Sequence, residues 1–139
     1  MKALLFPGQG VQKVGMLNSL FEEVSEVKSI IDDVSKYLDF DLEDLLRNGP
    51  EEKINLTEFS QPTILVTSVL LAKYSKKLSN IDITAGLSLG EYSALVYSNC
   101  LDLSDAVKLV NYRGRLMQEA VPEGTAGMLV VLNMPINEV

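Results

Sequence analysis

Gly86, Ser88 and Gly90 stand as G-x-S-x-G in the stretch "ITAGLSLGEYSAL", residues 83–95. That spacing suits acyl chemistry. Glycines two before and two after a serine let the chain make a cramped strand-to-helix turn from which the hydroxyl projects. The backbone N–H of Leu89, at the start of the next helix, then faces the same space and can stabilise an oxyanion. The bare pattern arises by composition in roughly one chain in twenty of this length, so its flanks decide. "IDITAG" before it alternates as a strand and "LGEYSALV" after it reads as a helix, the context the chemistry requires. The competing structural reading makes Ser88 an ordinary helix cap, with Glu91 completing a capping box. Either way the proton acceptor is missing: the 139 residues contain no histidine.

Arg113 is the second candidate. On a helix running from Ser104 to about Ala120, the residues Ala106, Val110, Met117 and Ala120 share an apolar stripe with Arg113 in its middle. Lys108, Asn111, Arg115 and Gln118 form a separate polar stripe, so Arg115 is expected to face water and Arg113 to face inward. An inward guanidinium is costly unless an anion meets it, and its fork suits a carboxylate. That anion is either a ligand's carboxylate or an acidic side chain of the protein; a third possibility is that the arginine snorkels to the surface. Gly114 beside it costs about 1 kcal/mol relative to alanine in a helix interior, which implies a close approach of another element.

The elements that hold these residues follow from periodicity. "KALLF" (residues 2–6) is a short apolar run, read as a buried strand, that enters the loop "PGQG". Residues 16–47 carry apolar side chains at three- and four-residue steps and read as helical, closed by Gly49-Pro50. Residues 57 to about 78 read as a buried helix in which Pro62 marks a first turn or a kink. Ser104 is the expected cap of the long helix, "VPEGTAG" is a turn, "MLVVLN" (128–133) another strand, and Pro135 the start of a further helix. Strands alternating with helices indicate an α/β protein with parallel strands. Two or three strands make an incomplete sheet with bare edges.

Composition removes several function classes. The chain is 47% hydrophobic and 22% charged, the balance of a globular domain. A formal net charge of −7 argues against nucleic acid or an anionic membrane as partner. No apolar run approaches the roughly 18 residues of a membrane span, and no signal-peptide core is present, so a cytoplasmic location is expected. Cys100 is the one cysteine, read as small core filler, and without histidine or a cysteine pair no metal site is expected.

Four blocks in order, "LLFPGQG", "TEFSQPTILVTS", "GLSLGEYSALV" and "YRGRLMQEAVPEGTAGM", resemble the bacterial malonyl-CoA:acyl carrier protein transacylase family of fatty acid biosynthesis. The resemblance runs over nearly the whole chain. It implies that Ser88 accepts the malonyl group, that the backbone N–H groups of Gln9 and Leu89 form the oxyanion hole, and that Arg113 holds the free malonyl carboxylate. Gln61, in "SQP", falls in a matching block and is given packing near the site and no chemistry. The implied substrates are malonyl-CoA and the phosphopantetheine thiol of acyl carrier protein, with no cofactor. Leu87 departs from the family, which usually reads G-H-S-L-G there.

The family's catalytic histidine lies beyond Val139. The resemblance thus implies a hydrolase-like α/β subdomain begun by residues 1–124, and a ferredoxin-like small subdomain of which 125–139 hold the first strand. The base would come from a missing C-terminal half, leaving these residues inactive alone. Two alternatives stay open: a serine hydrolase of esterase or thioesterase type, and a noncatalytic fragment or one half of a split enzyme.

Overall fold

The structure is a computed structural model and describes residues 1–121, 125 and 131–138. Its frame is two parallel strands, β1 (Ala3–Phe6) and β2 (Ile83–Gly86), paired with Ala3 opposite Ile83 and Phe6 opposite Gly86. Five helices lie between them in sequence: α1 (Asn18–Glu23), α2 (Glu26–Ser35), α3 (Leu42–Asn48), α4 (Glu51–Asn55) and α5 (Thr57–Tyr74). After β2 come α6 (Leu89–Tyr97) and α7 (Leu103–Ala120). This is the α/β order with parallel strands that the periodicity indicates.

The helical reading of 16–47 requires correction, because three helices occupy it. Val24 is extended between α1 and α2. Asp41 is extended before α3, where its carboxylate accepts from the Asp44 N–H at 2.9 Å. Asp competes with helix through such local bonds, so the apolar stripe continues while the backbone stops and restarts. The stripe still builds one core, with Leu17, Val27, Ile31, Leu42 and Leu46 buried beside Ile64, Leu65 and Leu70 of α5.

α5 is the buried helix expected, with eleven of its residues in the interior. It ends at Tyr74, before the expected 78, where Ser75 turns extended. Pro62 sits inside it and has no N–H, so the Glu58 carbonyl loses its usual i+4 donor. Asn111 Nδ2 of α7 donates to that carbonyl at 3.3 Å. α5 and α7 are thus joined where α5 is chemically incomplete.

Neither strand is fully buried, contrary to the reading of "KALLF". Phe6 is buried with Ala72 and Ala94, but Leu5 is 72% exposed and Ile83 47%. α6 packs against both strands, and Ala72 of α5 joins Phe6 and Ala94 in a small apolar cluster. α7 begins at Leu103 after Asp102, so Ser104 is in its first turn and is not its cap. Cys100 is exposed and not core filler. The turn expected over 121–127 and the strand over 128–133 lie mostly outside the described residues, while 131–133, which are described, form no strand. Pro135 opens a single 3-10 turn, Ile136–Glu138. Among the described residues no helix is long and apolar enough to cross a membrane.

Candidate active site

Ser88 occupies the tip between β2 and α6 with φ 53° and ψ −106°. A non-glycine residue held at positive φ carries strain of about 1–3 kcal/mol, which persists only where the surroundings enforce it. Here they do. Leu87 N–H donates to the Phe6 carbonyl at 3.1 Å, carrying the sheet pairing one residue past β2. On the other side Gly90 N–H reaches the Leu87 carbonyl at 2.9 Å and Glu91 N–H the Ser88 carbonyl at 3.1 Å.

The two motif glycines are needed for space. A Cβ on Gly86 would lie 1.9 Å from the Gly90 carbonyl carbon, and one on Gly90 would lie 2.3 Å from the Phe6 oxygen. Strand, turn and helix touch backbone to backbone, and this presses Ser88 outward. Its hydroxyl makes no capping bond, so the capping-box reading with Glu91 is corrected. The Ser88 hydroxyl accepts instead from Arg113 Nη2 at 3.1 Å.

Arg113 arrives there by a route that the helical stripe only partly captured. The buried face of α7 runs through Ala106, Val107, Val110, Asn111 and Gly114, whereas Met117 and Ala120 are exposed. The face is rotated because Gly114 sits against α5: a Cβ there would meet Glu58 Cα and the Thr57 oxygen, each at 2.8 Å. This is the close approach its presence implied. Arg113 therefore lies on the shoulder of the buried face, half-buried, and reaches across to the serine turn. Asn111, expected on a polar stripe, is buried.

Among the described residues the guanidinium makes two hydrogen bonds, one from Nη2 to Ser88 and one from Nη1 to Gln61 Oε1 at 2.8 Å. Among the described residues no carboxylate forms an ion pair with it. The internal salt bridge left open by the sequence is absent there. Arg115, two residues on, has taken that role and pairs with Asp39 at 2.7 Å and Glu58 at 3.9 Å.

The "PGQG" loop closes the third side. Gly8 is buried, and a Cβ on it would come within 3.0 Å of the Leu87 oxygen, so this loop brushes the serine turn. Gln9 Nε2 donates to Thr57 Oγ1 at 3.2 Å and Gln12 Nε2 to Asn55 Oδ1 at 2.8 Å, stapling the loop to the start of α5 and the end of α4. The backbone N–H groups of Gln9 and Leu89 donate to no backbone acceptor among the described residues.

Beside Arg113 an open groove of about 520 Å3 is lined by Tyr92, Leu109, Tyr112, Leu116 and Met117. A more enclosed cavity of about 350 Å3, bordered by Ile30, Val69, Val96 and Leu101, shares no lining residue with Ser88 or Arg113. The candidate site is thus a serine on a strained turn, a cation with spare donors touching it, and two backbone N–H groups with no backbone acceptor among the described residues. The residue that sequence reasoning undervalued is Gln61, which is fully buried and bonded to Arg113. Its signal was available: a glutamine inside a helix apolar on most sides must find a partner.

The family model described as "Acyl transferase domain" matches residues 3–138. The malonyl CoA-acyl carrier protein transacylase of Haemophilus influenzae is 44% identical over 135 residues, covering 95% of this chain and 43% of that protein. The protein of the same name from Bacillus subtilis is 44% identical over 133 residues, 95% of this chain and 42% of its own length. Among solved structures, an acyl carrier protein S-malonyltransferase from Vibrio cholerae superposes with a TM-score of 0.81 at 46% identity, over 88% of this chain and 41% of that one. A malonyl-transacylase solved with a type II PKS acyl-carrier protein gives 0.81 at 44% identity, over 88% and 40%. The chain spans less than half the length of these relatives.

Proposed function

We propose, from the premise that this chain belongs to the acyl transferase domain family, that it carries the nucleophile half of a malonyl-CoA:acyl carrier protein transacylase of fatty acid biosynthesis. The observation that carries this reading is the 3.1 Å contact between Arg113 Nη2 and the Ser88 hydroxyl, by a guanidinium with no carboxylate partner among the described residues. A donor whose acid group stands one methylene from its thioester carbonyl reaches Arg113 and Ser88 together. An uncharged acyl group meets only the serine.

In the first half-reaction Ser88 Oγ attacks the thioester carbonyl of malonyl-CoA and gives up its proton. The carbonyl oxygen becomes an oxyanion between the Gln9 and Leu89 N–H groups, which are preorganised by the loop staples and the start of α6. Collapse breaks the C–S bond, CoA leaves as the protonated thiol, and a malonyl-serine ester remains. In the second half the phosphopantetheine thiol of acyl carrier protein attacks that ester, and the proton returns to Ser88. No bound cofactor enters either step.

Serine is a weak nucleophile until a base takes its proton, and the chain has no histidine. The base is supplied by sequence outside these 139 residues, the C-terminal half of a full-length relative, whether on the same polypeptide or on a second one. A cytoplasmic setting goes with this reading. Arg113 does not substitute for the base, because a guanidinium only donates.

The test uses labelled malonyl-CoA and acyl carrier protein. The chain alone gives negligible transfer; mixed with a chain carrying the remaining half, it gains transfer that Ser88→Ala abolishes. Arg113→Ala lowers malonyl transfer about tenfold or more while sparing an uncharged acyl-CoA, the loss expected for a charge-assisted contact. Ordinary enzymatic rates from the chain alone, or transfer that survives Ser88→Ala, refutes the proposal.

A further inference from the structure

Gln61 is fully buried on α5, and its Oε1 is the acceptor that holds Arg113 Nη1 at 2.8 Å. Its amide orientation is fixed from both ends. The guanidinium can only donate, so it requires the carbonyl oxygen, and the amide nitrogen then points to Met117 Sδ at 3.1 Å. The thioether is a weak acceptor, so the amide is fastened chiefly by Arg113. Nη1 is thereby tied down, and Nη2 is left on the Ser88 hydroxyl.

The contrast with Arg115 gives this contact its meaning. That arginine meets two carboxylates, Asp39 and Glu58, and its charge is compensated within the protein. Arg113 is held by a neutral amide. A glutamate at position 61 would have the same length and would bind the guanidinium more tightly, as a charge-assisted pair. It would also supply the negative charge that a ligand carboxylate is to bring.

We propose that Gln61 is a positioning and specificity residue: as a neutral acceptor it aims the Arg113 guanidinium at Ser88 without neutralising it, reserving that charge for the free carboxylate of the acyl donor. Discrimination between acid-bearing and uncharged acyl thioesters then depends on two residues, the cation and the amide that keeps it unpaired. This rests on the assignment of Arg113 as the carboxylate-binding group.

The experiment is calorimetric titration of the purified 139-residue chain with malonyl-CoA and, separately, with acetyl-CoA; it needs no turnover. Four proteins are compared, the unaltered chain, Gln61→Glu, Gln61→Met and Arg113→Ala, each checked for native helicity by circular dichroism. The unaltered chain binds malonyl-CoA more tightly than acetyl-CoA by about tenfold to a hundredfold, the range for a hydrogen-bonded charge pair. Gln61→Glu removes that preference and leaves acetyl-CoA affinity within about twofold. Gln61→Met keeps the charge but loses its orientation, so its preference lies between those of the unaltered chain and Arg113→Ala. Should Gln61→Glu fail to fold, this ordering for Gln61→Met carries the test.

A merely structural role for Gln61 weakens both ligands in step and leaves their ratio unchanged. That outcome overturns the inference, as does a Gln61→Glu chain that retains the malonyl preference while Arg113→Ala loses it; the assignment of Arg113 then stands by itself. Equal binding of the two thioesters by the unaltered chain overturns the assignment and the inference together.

Discussion

Gly90→Ala sets two physical effects against each other with opposite signs. Gly90 lies in the first turn of α6 at an ordinary negative φ. Helix propensity alone therefore favours alanine by up to about 1 kcal/mol. Packing says the reverse. The new methyl carbon would stand 2.3 Å from the Phe6 carbonyl oxygen and 2.8 Å from the Pro7 oxygen, both backbone atoms that cannot rotate away. Ordinary contact begins at 3.4 Å, so α6 and the end of β1 must part by about 1 Å. Phe6 O is also the acceptor for Leu87 N–H, the last bond of the sheet before Ser88. Overpacking of this kind costs about 1–3 kcal/mol, and more where backbone must move, so the net effect is a loss of about 1–2 kcal/mol. Urea unfolding followed by circular dichroism measures it directly. A midpoint at or above that of the unaltered chain, with an unchanged slope, would show that the serine turn is not packed backbone to backbone and would remove the reason for both motif glycines.

Asn111→Ala strips the Glu58 carbonyl of the donor that replaces Pro62's missing N–H, and should destabilise the chain by about 1–3 kcal/mol; an unchanged urea midpoint contradicts that role. The Glu43 carboxyl is held below the usual carboxylate range first by the hydrogen bond from the Lys28 ammonium, which outweighs the opposing effect of burial, with the Arg47 guanidinium adding to the lowering. A carboxyl whose pKa is lower folded than unfolded adds stability that is complete above the unfolded value and fades as pH falls through the folded one. Glu43→Gln should therefore cost most near neutral pH and progressively less below about pH 4, and a constant difference across that range counts against the pairing.

Much of the candidate site's geometry is legible in the sequence, because its parts answer to backbone sterics. Gly86 and Gly90 flank Ser88 at positions where a Cβ cannot fit, and Gly114 implied the approach that α5 makes. Arg113 was found by a helical stripe whose outer members, Met117 and Ala120, prove to be exposed. A long side chain on the shoulder of a face reaches what a shorter one must point at. The fold's order was equally readable, whereas the divisions of 16–47 were not. α2 stops at Ser35, and Asp41 caps α3 through a local bond that competes with propensity, which periodicity does not record. Gln61's partner lies 52 residues away on another helix, a distance that pattern within one element cannot bridge.

The central claim is that one cation and one hydroxyl, 3.1 Å apart, receive the two ends of a malonyl group. A crystal structure of this chain with a thioether analogue of malonyl-CoA, which cannot be cleaved, tests it most directly. The account requires the analogue's carboxylate on the Arg113 guanidinium, its carbonyl carbon beside Ser88 Oγ, and its carbonyl oxygen toward the Gln9 and Leu89 N–H groups. A carboxylate bound elsewhere, with Arg113 still on Ser88 or turned to solvent, contradicts it.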